Sequence, residues 1–121
     1  MLKRYRSTYE NNYEMLVDVD HSIMTDANLH EINSFWCDAK QRLAAEDGNV
    51  LNAVLKSLHV NLLYLAVEYS YNVSGLIGLF NYSDGKGQEG WPKLDGSAGI
   101  TLIDFDHLEI SADQMEIEEV A

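Results

Sequence analysis

Hydrophobic spacing changes period twice along this 121-residue chain, and that switch constrains the fold more than any other feature. Residues 2–10 are rich in Tyr and Thr with alternating character. Residues 13–20 place Met15, Val17 and Val19 on one face and Glu14, Asp18 and Asp20 on the other. A period of two is the signature of a strand with one buried face. Asn11-Asn12 between the two runs is a turn signal, so the segment predicts an N-terminal hairpin. The period then becomes helical. Thr25 is placed as an N-cap with Asp26 in the first turn, and Leu29, Ile32, Trp36, Ala39 and Leu43 follow as one stripe up to Gly48. Asn49 caps a second, longer stripe: Leu51, Val54, Leu55, Leu58, Leu62, Leu65 and Tyr69. A connection this short predicts that the two helices lie antiparallel. The pattern continues weakly through Val73, Leu76, Ile77 and Phe80, interrupted by Gly75 and Gly78, as a short separate helix or a bent extension. Residues 81–99 read as a glycine-rich loop. Alternation returns over 100–106, with Thr101, Ile103 and Phe105 opposite Leu102 and Asp104.

Segregated strands and helices predict an α+β fold: an antiparallel sheet, made of the N-terminal hairpin plus a C-terminal strand or strands, with an antiparallel helix pair packed on one face. The length fits one domain spanning residues 1–121. Residues 111–120 stay open between helix and strand, since Ser111 and Gln114 resemble a capping box while Met115 and Ile117 alternate.

Charge excludes one class of partner. Twenty carboxylates face eight Lys and Arg, for a formal net charge of -12. Only Lys3, Arg4 and Arg6 cluster, and no basic residue follows Lys93. Direct nucleic-acid binding needs a basic footprint, so none is expected, nor binding to an anionic membrane. The stretch bearing Asp104, Asp106, Glu109, Asp113, Glu116, Glu118 and Glu119 would instead attract a basic protein surface, or serve only to keep the chain soluble. The single cysteine, Cys37, excludes an internal disulfide and a Cys-rich zinc site, and beside Trp36 it is expected as a small buried hydrophobe. The N-terminus lacks the apolar core of a signal peptide, and the most apolar run, 60–67, is short of a bilayer span; a cytoplasmic protein is expected.

Three motifs carry chemistry to be weighed. Asp18-Val19-Asp20-His21 is echoed by Asp104-Phe105-Asp106-His107, each closing a strand. Were the echoes to meet, Asp18, Asp20, Asp104, Asp106 and His107 would suit a divalent ion such as magnesium, calcium or manganese; the plainer reading is aspartate at strand ends, where it favours turns. Gly85-Lys86-Gly87-Gln88-Glu89-Gly90 fits a dinucleotide fingerprint as a string only, because no strand precedes it and Trp91-Pro92 follows. Trp91 is either a core plug, which we prefer, or an exposed anchor for a partner. His21, His30, His59 and His107 show no metalloprotease spacing, His59 reads as a boundary residue, and nothing calls for a cofactor.

Several segments together, Tyr5-Arg6-Ser7-Thr8-Tyr9, Ile32-Asn33-Ser34-Phe35-Trp36 with Arg42-Leu43, Ala53-Val54-Leu55-Lys56, Glu89-Gly90-Trp91-Pro92 and Leu94-Asp95-Gly96-Ser97-Ala98-Gly99-Ile100, resemble a family of small uncharacterised proteins of bacteria, their phages and prophages, classed as a domain of unknown function. The resemblance implies a compact α+β domain in a phage setting and assigns no catalytic residue. The reading that follows is a non-enzymatic accessory or inhibitory factor that occludes a basic surface on a host or defence protein, mimicking the charge of DNA. Its anchors would be Trp91 and the carboxylates from Asp104 to Glu119. The alternatives are a divalent-metal protein or small metal-dependent enzyme built on the aspartate echo, and a structural homodimer paired through its helices.

Overall fold

The hairpin closes as its turn residues require. In the computed structural model, which describes residues 1–108 and 110–121 (Asp84 by its backbone only), strand β1 (Leu2–Tyr9) pairs antiparallel with β2 (Tyr13–Asp20) from Leu2↔Asp20 to Tyr9↔Tyr13. Glu10 and Asn11 take positive φ (51° and 59°), and the Asn12 amide donates to the Tyr9 carbonyl at 3.1 Å. Two successive left-handed residues match the twist of the flanking strands, which is why a polar pair sits here. β3 (Ile100–Phe105) pairs antiparallel with the other side of β2, so the sheet order is β1-β2-β3.

Four helices follow the hairpin: α1 (Asp26–Phe35), α2 (Ala39–Ala45), α3 (Val50–Tyr69) and α4 (Val73–Leu79). α3 and α4 pack on one face of the sheet, α1 packs on α3, and α2 lies against α1 and α3. Met15, Val17 and Val19 on that face are fully buried, as are Leu29 of α1, Leu58 and Leu62 of α3 and Leu76 of α4. Each such side chain contributes roughly 1.5–3 kcal/mol of transfer free energy. Thr25 and Asn49 cap as expected: Thr25 Oγ1 accepts from the Asn28 amide at 3.3 Å and Asn49 Oδ1 from the Asn52 amide at 3.0 Å. The weakly patterned segment forms a separate short helix, one of the two outcomes the interrupted pattern left open, with Asn72 capping α4 through the Gly75 amide at 2.9 Å.

Three expectations are corrected. The single helix expected from Thr25 to Gly48 is two, because the chain turns out at Trp36 and Asp38 adopts φ 64°. Arg42 holds that break together: its guanidinium donates to the carbonyls of Asn33 (2.8 Å), Trp36 (3.3 Å) and Cys37 (2.5 Å), and Nε donates to Asn33 Oδ1 (2.9 Å). The C-terminal carbonyls of α1, orphaned by the break, thus find donors. Cys37 lies on this turn and is exposed, not buried. In β3, Phe105 shares the buried face with Ile100 and Leu102 rather than lying opposite Leu102. The register moves from Val17↔Leu102 to Leu16↔Asp104, leaving Ile103 as an extra residue. Such a bulge reverses the phase of every side chain beyond it.

The far edge of β3 is covered by the loop that precedes it. The Leu102 amide donates to Leu94 O and the Gly96 amide to Ile100 O, both at 3.0 Å. The reversal at Asp95-Gly96 is held by Asp95 Oδ1, which accepts from the Ser97 amide and hydroxyl at 3.0 and 2.6 Å. Residues 111–120 contain one 3-10 turn, Ala112–Gln114, closed by the Ser111/Gln114 capping box, with neither helix nor strand beyond it.

Candidate functional site

The loop that carries Trp91 turns inward. Gly90 has φ +85° and lies so close under Phe35 and Trp36 that a Cβ would collide with both rings. Only glycine satisfies both demands. Trp91, next in the chain, is 4% exposed and sits 5.9 Å, centroid to centroid, from Trp36. The Tyr82 hydroxyl, 2.6 Å from the Trp91 carbonyl and 2.5 Å from that of Gln88, donates to one at a time and ties the loop down. Trp91 is therefore the core plug, and as an exposed partner anchor it is ruled out by its burial. The Nε1 groups of Trp36 and Trp91 are buried and have no hydrogen-bond partner among the described residues.

The two aspartate echoes do lie on neighbouring strands, and Asp104 pairs with Leu16, two residues along β2 from Asp18, yet their outer members Asp20 and Asp106 end up apart. β2 and β3 run antiparallel, so two segments that each close a strand fall at opposite ends of the pair. Asp20 lies beside Gly99, donating its amide to Gly99 O, whereas Asp106 lies beside Glu14, six residues back along β2. At strand rise that is a separation of about 20 Å. Each group also has its own local task. Asp18 receives two hydrogen bonds from Arg4 (2.7 and 3.1 Å), which hold its carboxyl below the usual range. Asp20 accepts from the Ser22 hydroxyl and amide (2.5 and 3.0 Å), with the same effect on its pKa. Asp104 accepts from the Phe105 amide and Asp106 from the Glu14 amide, both at 2.9 Å. His107 stands edge-on to Phe105. Among the described residues no three His, Cys, Asp or Glu side chains are placed to share a metal ion.

His59 is the polar residue whose position sequence reasoning missed. It is 3% exposed, with Nδ1 2.7 Å from Ser7 Oγ and Nε2 without a partner among the described residues. Burial pushes its pKa down, against a smaller upward pull from Asp106. Its place four residues after Leu55 and three before Leu62, on the buried stripe, was the available signal. Among the described residues no carboxylate is hydrogen-bonded to the imidazole of the Ser7–His59 pair, the contact by which a catalytic triad orients its base.

The acidic stretch reaches solvent. Asp104, Asp106, Asp113, Glu116, Glu118 and Glu119 are all exposed, while Glu109 falls outside the described residues. The ion pairs of the described residues join Arg4 to Asp18, Arg6 to Glu14, Lys56 to Glu46 and the N-terminal amine to Asp20; none includes a carboxylate of the acidic stretch. Interleaved with these charges are Met115, Ile117 and Val120, 61%, 98% and 77% exposed. A cleft of about 390 Å³ separates the start of this stretch from the end of α3, with Ala66, Val67 and Leu108 as apolar walls and Ser70, His107 and Ser111 as polar groups.

Comparison with known proteins agrees with the resemblance read from the sequence. A family model described as "Protein of unknown function (DUF2528)" matches residues 14–117. Protein ea10 of Escherichia phage lambda is 42% identical over 105 residues, covering 87% of this chain and 85% of its own. The lambda prophage-derived protein ea10 of Escherichia coli O6:H1 (strain CFT073) matches with the same identity and coverage. No solved structure matches. The chain belongs to this family of proteins of unknown function.

Proposed function

We propose that this family member is a phage- or prophage-encoded, non-enzymatic accessory factor that binds a basic surface on a host protein through its acidic C-terminal stretch. The observation that carries the reading is the exposure of Asp104, Asp106, Asp113, Glu116, Glu118 and Glu119 with no cation paired to them among the described residues. Unpaired carboxylates give long-range attraction and fast association with a positive patch. Met115, Ile117 and Val120 add short-range burial once the partner is engaged, since a segment without regular structure can order on binding. The phage and prophage relatives favour a host target, and a host protein that grips nucleic acid presents the required basic surface, on which carboxylates would stand where phosphates otherwise lie. No observation favours the metal reading: among the described residues no three His, Cys, Asp or Glu side chains are placed to share an ion, and Asp20 and Asp106 lie at opposite ends of the strand pair.

The test is a pull-down from host lysate at low salt, with a second bait in which Asp113, Glu116, Glu118 and Glu119 are changed to Asn or Gln. The reading expects one basic protein in defined stoichiometry on the native bait, its absence from the neutralised bait, and affinity that falls steeply as salt rises. Equal capture by both baits, or salt-insensitive binding, would refute it.

A further inference from the structure

Helix α3 has more apolar surface than its own domain covers. An 18-residue window of this helix has a mean hydropathy of 1.5, and half of that window is buried. Leu55, Leu58, Leu62 and Ala66 face the core. A helix apolar on several sides normally has cover on several sides. On the solvent side, however, Val60, Tyr64 and Val67 recur at helical spacing, 50%, 73% and 37% exposed. Tyr9, itself 42% exposed, stands near Tyr64 at the tip of the hairpin and extends the patch. Continuous with it through Val60, a groove of about 250 Å³ runs between α2 and α3, with the small side chains of Ala45, Ala53 and Ser57.

We propose that this face pairs with the same face of a second copy, α3 against α3 in antiparallel crossing about a two-fold axis level with Leu62. The order of residues along the helix is self-complementary about that point. Val60 and Tyr64 are equidistant from Leu62, so each Tyr64 meets the Val60 wall of the other copy's groove. Lys56 and Glu68 are also equidistant from it, so each ammonium meets a carboxylate of the other copy. Lys56 already holds Glu46 at 2.8 Å, and an ammonium has further donors for a second carboxylate. A two-fold interface must be self-complementary in this way, because one patch serves as both partners. An exposed tyrosine opposite a groove lined by small residues is the arrangement of an interface hot spot. The inference does not rest on the acidic C-terminal stretch, which borders the patch only at Val67, in the cleft it shares with Leu108 and Ser111.

Light scattering on the full chain, eluted from a sizing column over a range of concentrations, tests it. The native chain is expected at twice the mass of one chain in the micromolar range. Tyr64→Glu should weaken dimerisation by about thirty-fold or more, the scale of a tyrosine hot spot, with circular dichroism unchanged because Tyr64 is a surface residue. Glu68→Lys should weaken it by setting like charges opposite each other, and adding Lys56→Glu should restore it. A native chain that stays monomeric at high concentration overturns the proposal, as does a dimer indifferent to Tyr64→Glu. A monomer that floats with phosphatidylcholine vesicles overturns it in favour of lipid as the cover for this face.

Discussion

Replacing Arg42 with alanine removes four donor contacts at once from the break between α1 and α2. The carbonyls of Asn33 and Trp36, and Asn33 Oδ1, are part-buried acceptors, whereas the Cys37 carbonyl is exposed and water can replace its donor. Asn33 itself is 4% exposed, and its Nδ2 donates to the Ala39 carbonyl at 3.1 Å, so the loss propagates to the start of α2. Hydrogen bonds from a charged donor contribute roughly 1.5–3 kcal/mol each, and stranded buried acceptors cost a further desolvation term. Three such acceptors act as one unit, so their losses do not add, and about 3 kcal/mol is the expected destabilisation. For a chain of this length that lowers Tm by about 10 °C. Urea unfolding should show the same loss as a shift in midpoint at constant slope. Arg42→Lys separates geometry from charge: a lysine keeps the cation but not the fork, so it should recover less than half of the loss. Native stability in Arg42→Lys, or a loss below about 1 kcal/mol in Arg42→Ala, would refute the claim that the guanidinium holds the break.

Two further stability predictions follow from local geometry. The folded-state pKa of His59 is lowered from 6.5 by burial, so its contribution is fully present above pH 6.5 and is lost as pH falls toward the folded value; urea midpoints should decline over that window in the native chain and not in His59→Gln, and an equal decline in both would sink the assignment. Gly99→Ala should cost about 3 kcal/mol or more, because φ is +101° and the new Cβ would stand 2.7 Å from the Met24 backbone nitrogen, whereas Gly85→Ala, at φ +75° with nothing within 4 Å, should cost about 1 kcal/mol; equal losses in thermal melts would refute the steric argument.

Much of the fold was legible because it is local. Alternation over Met15, Val17 and Val19, and the caps at Thr25 and Asn49, each depend on residues within a few positions of one another, and each holds in the structure. The break after Phe35 was not legible. In one continuous helix, Asn33 and Arg42 would lie nine residues apart on different faces, and only the turn at 36–38 lets the guanidinium reach back across it. The bulge at Ile103 was hidden for a related reason: alternation predicts a face only while the register with the partner strand is unbroken.

The candidate site divides along the same line. Exposure of Asp113, Glu116, Glu118 and Glu119 accords with a stretch in which glutamates interrupt every apolar run. Gly90 beside Trp91 was a visible pair, but that the indole points inward depends on Phe35 and Trp36, more than fifty residues away. By itself the sequence determined which segments become strands and helices, apart from the break between α1 and α2 and the form of residues 111–120, and that the chain carries a large negative charge, since both follow from side-chain type and short-range spacing. Tertiary structure alone decided that Asp20 and Asp106 of the aspartate echoes fall at opposite ends of the strand pair, that His59 is buried against Ser7 and Cys37 is not buried at all, and that one side of α3 stays uncovered. Strand direction and the packing of distant segments settle these outcomes, and neither is written in the spacing of neighbouring residues.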